Sequence, residues 1–225
     1  MHANSSLIVS SQTSIHEQLH ALVARHAKHV FQKPVTDYNQ AAFDNSIAPW
    51  RAAGAPPLIL DTGCGVGLST LHLATQFPDH FVIGIDQSED RITRNTQWPA
   101  AMPENYIRVR ADLVDYWRLL LQREIFPARQ YLLYPNPWPK IGHVARRWHG
   151  HAVFPTIVAL GGIIECRSNW HIYVEEFAAA MTQLTGKTVH AESYVPVQTI
   201  TPFEEKYLTS GHPLWRCVTT LLPTI

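Results

Sequence analysis

A glycine-rich loop that joins a strand to a helix constrains the fold of this 225-residue chain more than any other feature. From Leu58 the sequence reads LILDTGCGVGLSTLHLATQF: an apolar run typical of a buried strand, an acid, a Gly-x-Gly-x-Gly loop and a helix-like run. Glycine at Gly63, Gly65 and Gly67 lets the backbone turn tightly and approach a ligand. The next apolar run, FVIGID, ends in Asp86, where a carboxylate can accept hydrogen bonds from ribose hydroxyls. This order predicts a nucleoside-cofactor site.

The acid that precedes the glycines indicates which cofactor binds. Dinucleotide-binding domains use Gly-x-Gly-x-x-Gly and direct a helix N-terminus at an anionic pyrophosphate. A carboxylate at Asp61 suits a cation instead, such as the amino group or sulfonium of S-adenosyl-L-methionine (SAM). Methyltransferases place a further acid beside the cofactor's adenine, and Asp112 follows the next predicted strand. We therefore expect a methyl donor held by Asp61, Gly63, Gly65, Asp86 and Asp112; the alternative is a strand–turn–helix junction whose glycines only relieve strain.

Length, charge and cysteine usage limit the class of protein. The chain is long enough for one well-buried α/β domain, and 46% hydrophobic residues argue against disorder. Lys+Arg and Asp+Glu each number 18, so an RNA site must be a local basic patch. The three scattered cysteines, the lack of an apolar run near 18 residues and the lack of an export signal favour a cytoplasmic protein without a membrane span.

The first fifty or so residues read as an N-terminal extension. Apolar positions spaced three or four apart predict an amphipathic helix: Ile15, Leu19, Leu22, His26 and Val30. Residues 33–57, with several prolines, are predicted to be an irregular connection. We therefore divide the chain into an N-terminal helical extension, 1–52, and a SAM-dependent methyltransferase domain, 53–225.

Apolar runs and helix-like runs then alternate along the chain. The predicted strands are 57–61, 81–86, 105–110, 130–135, 160–166, 188–197 and 214–222. The predicted helices lie near 67–77, 88–97, 113–124 and 170–184, and a helix-like insert separates the last two strands. Alternation of this kind predicts an α/β protein with a mostly parallel sheet and helices on both faces. Seven strands with an antiparallel closing pair are the arrangement of the Rossmann-like class I methyltransferase fold.

The segment after the fourth predicted strand should face the methyl group. Ligands in open α/β sheets bind outside the carboxyl ends of the strands, and Pro135 to Lys140 occupy that place with the sequence PNPWPK. Three prolines make this segment stiff, which serves a group that must be held in line with a donor carbon. The alternative is a rigid loop in which Trp138 is only a packing anchor.

Several motifs together resemble the bacterial tRNA (guanine-N7)-methyltransferase family over residues 57–217. They are PNPWPK with the following His143, Arg146 and Arg147, then LGGIIECRSNWHIYVEEF from Leu160, and TPFEEKYLTSG from Thr201. The resemblance implies SAM as cofactor and tRNA as substrate, with methyl transfer to a variable-loop guanine. It also implies cofactor acids at Asp61, Asp86 and Asp112, and tRNA or guanine contacts at Lys140, Thr201 and Glu204.

Two positions depart from the family pattern. The chain has Asn136 in place of the Asp of Pro-Asp-Pro-Trp, and Asn169 in place of the Asp of Thr-Asp-Trp. Guanine N7 has an in-plane lone pair and no proton to lose, so methyl transfer needs alignment more than a general base. An amide can still accept from the guanine edge, at a cost of up to about tenfold or somewhat more for each replacement.

These considerations assign roles to the site residues. Asn136 is the predicted catalytic residue: it is expected to contact the cofactor and to orient the base. Asn169 and Glu204 are expected to hold the edge of the base. Lys140, His143, Arg146 and Arg147 are expected to meet the RNA backbone, although a solvated charged stretch is the alternative. Thr201-Pro202-Phe203-Glu204 also fits a capping box that only starts a helix. The pair His149 and His151 is a weak metal signal, and we expect no metal.

Two other functions are compatible with these residues. Asn136-Pro137-Trp138 loosely resembles the Asn-Pro-Pro-aromatic signature of methyltransferases that modify exocyclic amines, with the spacing off by one residue. The two Asn replacements and a thinned basic run after Lys140 also fit a paralogue that binds cofactor or RNA without turnover. We expect a monomer or a homodimer.

Overall fold

A computed structural model describes residues 5–94 and 102–224 of the chain. The strands in this part are β1 (Leu58–Thr62), β2 (Phe81–Asp86), β3 (Tyr106–Arg110), β4 (Arg129–Leu133), β5 (Gly162–Ser168), β6 (Glu192–Tyr194) and β7 (Leu214–Leu221). They form one sheet in the order β3-β2-β1-β4-β5-β7-β6. The first five strands are parallel, and β7 runs antiparallel to both β5 and β6. The predicted mostly parallel sheet with an antiparallel closing pair is confirmed.

Helices cover both faces of this sheet. They are α1 (Leu19–Lys28), α2 (Asp37–Ala52), α3 (Leu68–Gln76), α4 (Glu89–Thr93), α5 (Leu113–Gln122), α6 (Phe154–Ala159), α7 (His171–Thr185) and α8 (Pro202–Thr209). Successive side chains of a strand point to opposite faces. Ile59 accordingly packs with Leu73 of α3, whereas Leu60 belongs to the larger core that includes Leu120 of α5 and Phe177 of α7. Burial on both faces explains why the parallel strands are continuous apolar runs.

The prediction of an irregular connection over residues 33–57 is wrong, because α2 occupies most of it. Thr36 caps this helix by accepting a hydrogen bond from the backbone N–H of Asn39. Pro49 lies in the last turn of the helix, and Gly54 follows with a φ of 86°. The prolines therefore mark the end of α2 rather than an absence of helix.

Other predicted elements differ from the structure mainly at their ends. The amphipathic N-terminal helix is confirmed as α1, with Ile15 and Val30 outside it. Of the run 188–197 only three residues form β6, and the short α6 was not predicted. The helix near 88–97 is present as α4, and its predicted end from residue 95 lies outside the described residues.

The two N-terminal helices share the main core with the sheet. Leu19 and Val23 of α1 and Phe43 and Ile47 of α2 are buried in the same cluster as the β1 and β2 side chains. The division of the chain at residue 52 stays a prediction. No helix within residues 5–94 and 102–224 has the length and apolar character needed to cross a membrane.

Gly84 provides a test of how closely α3 packs on β2. A Cβ at Gly84 would lie 2.2 Å from Oγ1 of Thr70. We expect Gly84→Ala to lower the free energy of unfolding by about 1–3 kcal/mol, because the overpacked side chain must move. Gly142→Ala is the control, since its Cβ would meet nothing within 4 Å; it should change stability by no more than about 0.5 kcal/mol. Equal effects in urea denaturation would contradict this packing.

Candidate active site

The glycine loop after β1 leaves open space at the carboxyl end of the sheet. Gly63 and Gly65 have φ values of 79° and 58°, which side chains rarely adopt, and a Cβ at either position would meet nothing within 4 Å. The backbone N–H groups of Gly63 and Cys64 donate to the carbonyl of Ile85 at 2.7 and 3.0 Å. The loop is thus fixed on β2 and unobstructed above, as a cofactor-binding loop requires.

Asp61 lies beneath this loop and is almost completely buried. Its Oδ2 atom accepts hydrogen bonds from the hydroxyls of Ser69 and Thr70 at 2.6 and 2.7 Å, so the carboxylate anchors the first turn of α3 to β1. Burial raises the pKa of Asp61 to about 6; the two hydroxyls oppose this shift and the charge of Asp86 adds to it. A cation placed nearby would relieve this penalty. Ser69 and Thr70 were missed in the sequence, where only their adjacency in the first helical turn indicates this role.

The other two acids are held by backbone groups. Asp86 at the end of β2 accepts from the N–H of Gly65 at 2.9 Å and from the N–H of Ser88 at 2.8 Å. Asp112 caps α5 by accepting from the N–H of Val114 at 2.8 Å. Asp86 ends β2, and Asp112 follows the end of the neighbouring parallel strand β3. Because each carboxylate oxygen can accept more than one hydrogen bond, these contacts leave capacity for ribose or adenine donors.

The loop after β4 has an unusual backbone at both ends. Tyr134 and Trp138 have φ values of 51° and 45°, two of the four positive values at non-glycine residues in the described part of the chain. Between them, Asn136 is exposed, and its Oδ1 accepts a long hydrogen bond of 3.4 Å from the N–H of Trp138. Left-handed backbone at such residues costs free energy and concentrates at functional sites. The loop therefore presents the amide of Asn136 on a rigid frame.

Basic side chains surround Trp138 on the outer side of this loop. The guanidinium of Arg146 lies 4.8 Å from the Trp138 ring centroid, and the His143 ring meets Trp138 edge-on at 5.6 Å. Lys140 and Arg146 are exposed, and the Lys140 ammonium has no hydrogen bond or ion pair with any described residue. Desolvation, with the charges of Arg146 and Lys140, lowers the pKa of His143. Lys140, His143 and Arg146 thus form a basic patch around Trp138.

Arg147 is not part of that patch, contrary to the expectation that it meets the RNA backbone. Its side chain is fully buried, where the guanidinium pairs with Glu176 and donates to Gln12 Oε1 at 2.9 Å. It also donates to the carbonyl of Trp138 at 3.1 and 3.3 Å. Arg147 therefore holds the loop from inside and cannot reach a phosphate.

His149, one of the two histidines considered as a metal signal, pairs with an acid in the interior. His149 is fully buried, and its Nε2 hydrogen-bonds Glu176 at 2.8 Å. Burial alone would raise the pKa of Glu176, but the contacts from His149 and Arg147 outweigh it and lower this pKa to about 2. Within residues 5–94 and 102–224 no group of three or more histidine, cysteine or acidic side chains is arranged to hold a metal ion.

Glu204 is also buried, contrary to the expectation that it holds the guanine edge. Its Oε1 accepts from the hydroxyls of Tyr134 and Tyr194 and from Arg167 at 2.9, 2.5 and 3.0 Å. Its Oε2 accepts from the N–H of Ile200 at 2.9 Å. The capping-box alternative describes it better, because Thr201 Oγ1 accepts from the Glu204 N–H to start α8. The Thr201 side chain thereby acts as the N-cap of α8, and it is buried as well.

Asn169 follows β5 and is half-buried beside the loop of β4. Strands β4 and β5 pair in parallel with Leu133 opposite Arg167, so Asn136 and Asn169 extend from adjacent strand ends. Its side-chain nitrogen contacts Nδ1 of His212 at 3.1 Å. His212 was not identified in the sequence, since nothing there shows that the turn before β7 reaches the end of β5.

The strand order and the glycine loop after β1 define a Rossmann-like class I methyltransferase. The family described as "Putative methyltransferase" matches residues 55–217, and the chain belongs to this family of enzymes. The tRNA (guanine-N(7)-)-methyltransferase of Acidovorax sp. strain JS42 is 27% identical over 200 residues, which cover 83% of this chain and 75% of the relative. The enzyme of the same name from Aromatoleum aromaticum is 26% identical, with 86% and 76% coverage. The resemblance seen in the sequence is confirmed.

Solved structures share the fold at low sequence identity. The 16S rRNA methyltransferase KamB superimposes with a TM-score of 0.54 at 17% identity, covering 86% of this chain and 99% of that protein. A 16S rRNA (adenine(1408)-N(1))-methyltransferase from Catenulisporales acidiphilia, solved with its cosubstrate SAM, gives a TM-score of 0.54 at 16% identity, with 79% and 91% coverage. Both likenesses concern the fold alone.

Asp61 makes the stability of the protein depend on pH. The folded state keeps this proton up to about pH 6, whereas the unfolded chain releases it near the ordinary value of 3.8. Stability is therefore greatest below pH 4 for this group and falls by up to about 3 kcal/mol as the pH rises to 6. Asp61→Asn, which does not titrate, should flatten this fall in urea denaturation measured from pH 4 to 7. A profile parallel to that of the wild type would contradict the assignment.

The neighbours Arg146 and Arg147 should respond differently to removal. Arg147→Ala leaves Glu176 buried with a lost partner, and we expect the free energy of unfolding to fall by about 3–5 kcal/mol. Arg146→Ala removes an exposed side chain and should change stability by about 0.5 kcal/mol or less. Urea denaturation of the two variants in parallel tests this, and similar losses for both would refute the burial of Arg147.

Proposed function

We propose that this enzyme transfers a methyl group from SAM to N7 of a guanine in tRNA, namely the variable-loop guanine. The observation that carries the proposal is the meeting of three features at one edge of the sheet: the open glycine loop after β1, the rigid loop that presents Asn136 after β4, and Asn169 after β5. The curated relatives, named as tRNA (guanine-N(7)-)-methyltransferases, support the same substrate.

The residues around the glycine loop fit SAM. Asp86 and Asp112 would accept from the ribose hydroxyls and the adenine amine, and Gly63 and Gly65 leave room for close approach of the cofactor. Asp61, whose pKa burial raises, gains from a positive charge nearby. When bound, the cofactor supplies an electrophilic methyl carbon on its sulfonium.

The chain's own contribution to methyl transfer is alignment. Guanine N7 offers its lone pair without losing a proton, so no general base is needed. Asn136 would fix the plane of the base from its stiff loop, and Asn169 would accept from the N1–H or the N2 amine. Lys140, His143 and Arg146 would contact the RNA backbone, because this is where the exposed basic groups lie. The basic residues would thus position the RNA, and the two asparagines would recognise the base.

The cellular setting follows from the same substrate. We propose that the enzyme acts on tRNA in the cytoplasm as a monomer or a homodimer. The chain has equal numbers of acidic and basic residues, so we attribute its RNA affinity to the local basic patch near Trp138. Because this affinity comes from contacts with phosphates, it should fall steeply as the salt concentration rises. Sedimentation with and without tRNA would give the stoichiometry.

Nucleoside mass spectrometry tests the proposed reaction. Bulk tRNA that lacks 7-methylguanine is incubated with the purified protein and labelled SAM, and a new labelled 7-methylguanine signal is expected. Methylated adenine or cytosine without methylated guanine would identify an exocyclic-amine methyltransferase instead. If no labelled nucleoside forms although calorimetry shows that SAM binds, the protein is a paralogue without turnover.

Replacing the two asparagines by the aspartates of the family pattern should raise the catalytic efficiency of methyl transfer. Asn136→Asp and Asn169→Asp each replace a neutral acceptor by a charged one next to the donor edge of guanine. We expect kcat/KM for tRNA to rise by up to about tenfold for each. Arg123→Lys, in an exposed ion pair with Asp44 at the C-terminal end of α5, is a control that should leave kcat/KM unchanged. A fall in kcat/KM for both Asp variants would contradict the roles given to the two amides.

A further inference from the structure

His212 makes two side-chain contacts that together determine which of its nitrogens carries the proton. It lies in the turn between α8 and β7, with only 5% of its surface exposed. Its Nε2 is 2.9 Å from the carbonyl oxygen of Ser5, and its Nδ1 is 3.1 Å from the side-chain nitrogen of Asn169. A carbonyl oxygen only accepts and an amide NH₂ only donates. The neutral ring with a proton on Nε2 and a lone pair on Nδ1 satisfies both contacts.

The imidazole is also held in its plane. Tyr207 of α8 stacks on His212 with ring centroids 5.4 Å apart and planes inclined by 14°. The Tyr207 ring in turn contacts Tyr134, the first left-handed residue of the loop after β4. A ring held at two nitrogens and one face has a single orientation, so the group it offers to Asn169 is fixed.

This matters because asparagine, unlike aspartate, has two different ends. A carboxylate presents an oxygen whichever way it turns, whereas an amide presents either an oxygen acceptor or an NH₂ donor. The contact with His212 Nδ1 draws the NH₂ of Asn169 inward and leaves Oδ1 as the group available to a ligand. His212 thereby gives Asn169 the acceptor character that an acid would have.

No nearby acid supplies that acceptor in the described structure. Glu204 is fully buried, and both Glu204 and Glu165 pair with Arg167. The N–H donors on the guanine edge must then find their acceptors in the side-chain amides of Asn136 and Asn169. The orientation of Asn169 therefore determines whether this edge is matched.

We propose that His212 is a positioning residue that fixes the amide of Asn169 with its oxygen toward the substrate, so that the site prefers guanine over adenine. This inference rests on the proposed function, because it assumes that a purine faces Asn169. Guanine offers N1–H and an N2 amine to Oδ1, whereas adenine has a bare N1 acceptor and no 2-amine. An acceptor facing an acceptor is unfavourable, so the direction of one amide sets the base preference.

Two substitutions separate the contacts of His212. The amide of an asparagine side chain reaches the place of Nδ1, so His212→Asn keeps an acceptor for Asn169 and loses the contact with Ser5. Glutamine reaches the place of Nε2, so His212→Gln keeps the donor to Ser5 and loses the contact with Asn169. The pair is matched in chemistry, and equal melting temperatures would show that both variants fold.

The test measures binding of guanosine and adenosine 5′-monophosphate to the protein saturated with S-adenosylhomocysteine. We expect the wild type to bind the guanosine nucleotide about fivefold to tenfold more tightly. His212→Asn should keep this ratio within about threefold, and His212→Gln should bring it to about one. When Asn169 is first replaced by Asp, the further substitution His212→Gln should leave the ratio of the two affinities unchanged, because both outer atoms of a carboxylate are oxygens. An unchanged ratio in His212→Gln, or equal losses in both variants, would overturn the proposal.

Failure of this inference and failure of the proposed function give different results. The nucleotide ratio requires no turnover, so a preserved ratio without 7-methylguanine formation would refute the reaction alone. A wild type that methylates tRNA but shows no preference, or binds neither nucleotide, would refute the role of His212. Long-range ¹H–¹⁵N correlation of the wild type provides a test without variants: a proton on Nδ1 of His212 at neutral pH would overturn the proposal.

Discussion

The left-handed backbone at Tyr134 and Trp138 is the constraint on which the rest of the site depends. A left-handed conformation at a residue with a side chain costs about 1 kcal/mol or more, which the surrounding contacts must offset. Two buried carboxylates supply this support, one at each end of the loop. Glu204 accepts from the Tyr134 hydroxyl, and Glu176 holds Arg147, which donates to the Trp138 carbonyl. The loop that presents Asn136 is thus fixed at both ends by charges that solvent cannot screen.

The N-terminal segment completes this support, although in sequence it looks like an appendage. Ser10 donates to the carbonyl of Pro139 at 2.6 Å, and Gln12 contacts both Arg147 and Glu176. Ser5 lies further along the same edge, at His212. One stretch of chain therefore reaches the loop after β4, the buried ion pair and the turn before β7. Loss of this stretch would loosen the loop after β4 and the turn before β7 rather than the sheet, because the strands pair without it.

The sheet could be predicted from the sequence, but the directions in which the charged side chains point could not. Strands β1 to β5 were predicted within two residues at their starts, because parallel strands buried on both faces form continuous apolar runs. Helix α2 was missed because its prolines outweighed the cap at Thr36. Arg147 and Glu204 were predicted to face the substrate, and both are buried. A motif shows that a charge is present at a position; only the packing around it shows whether that charge faces a ligand or supports the residue that does.

The two asparagines change how the proposed reaction must be driven. Methylation at N7 leaves a positive charge on the guanine, which an aspartate would stabilise as it develops and would also retain in the product. Neutral amides give up part of that electrostatic contribution, and their single acceptor must point in the right direction to contribute at all. Alignment then carries more of the catalysis than charge does. Three features would serve this alignment: the stiff proline loop, its two left-handed residues and the imidazole of His212. They occur in a chain in which Glu204 is buried and both Glu165 and Glu204 pair with Arg167.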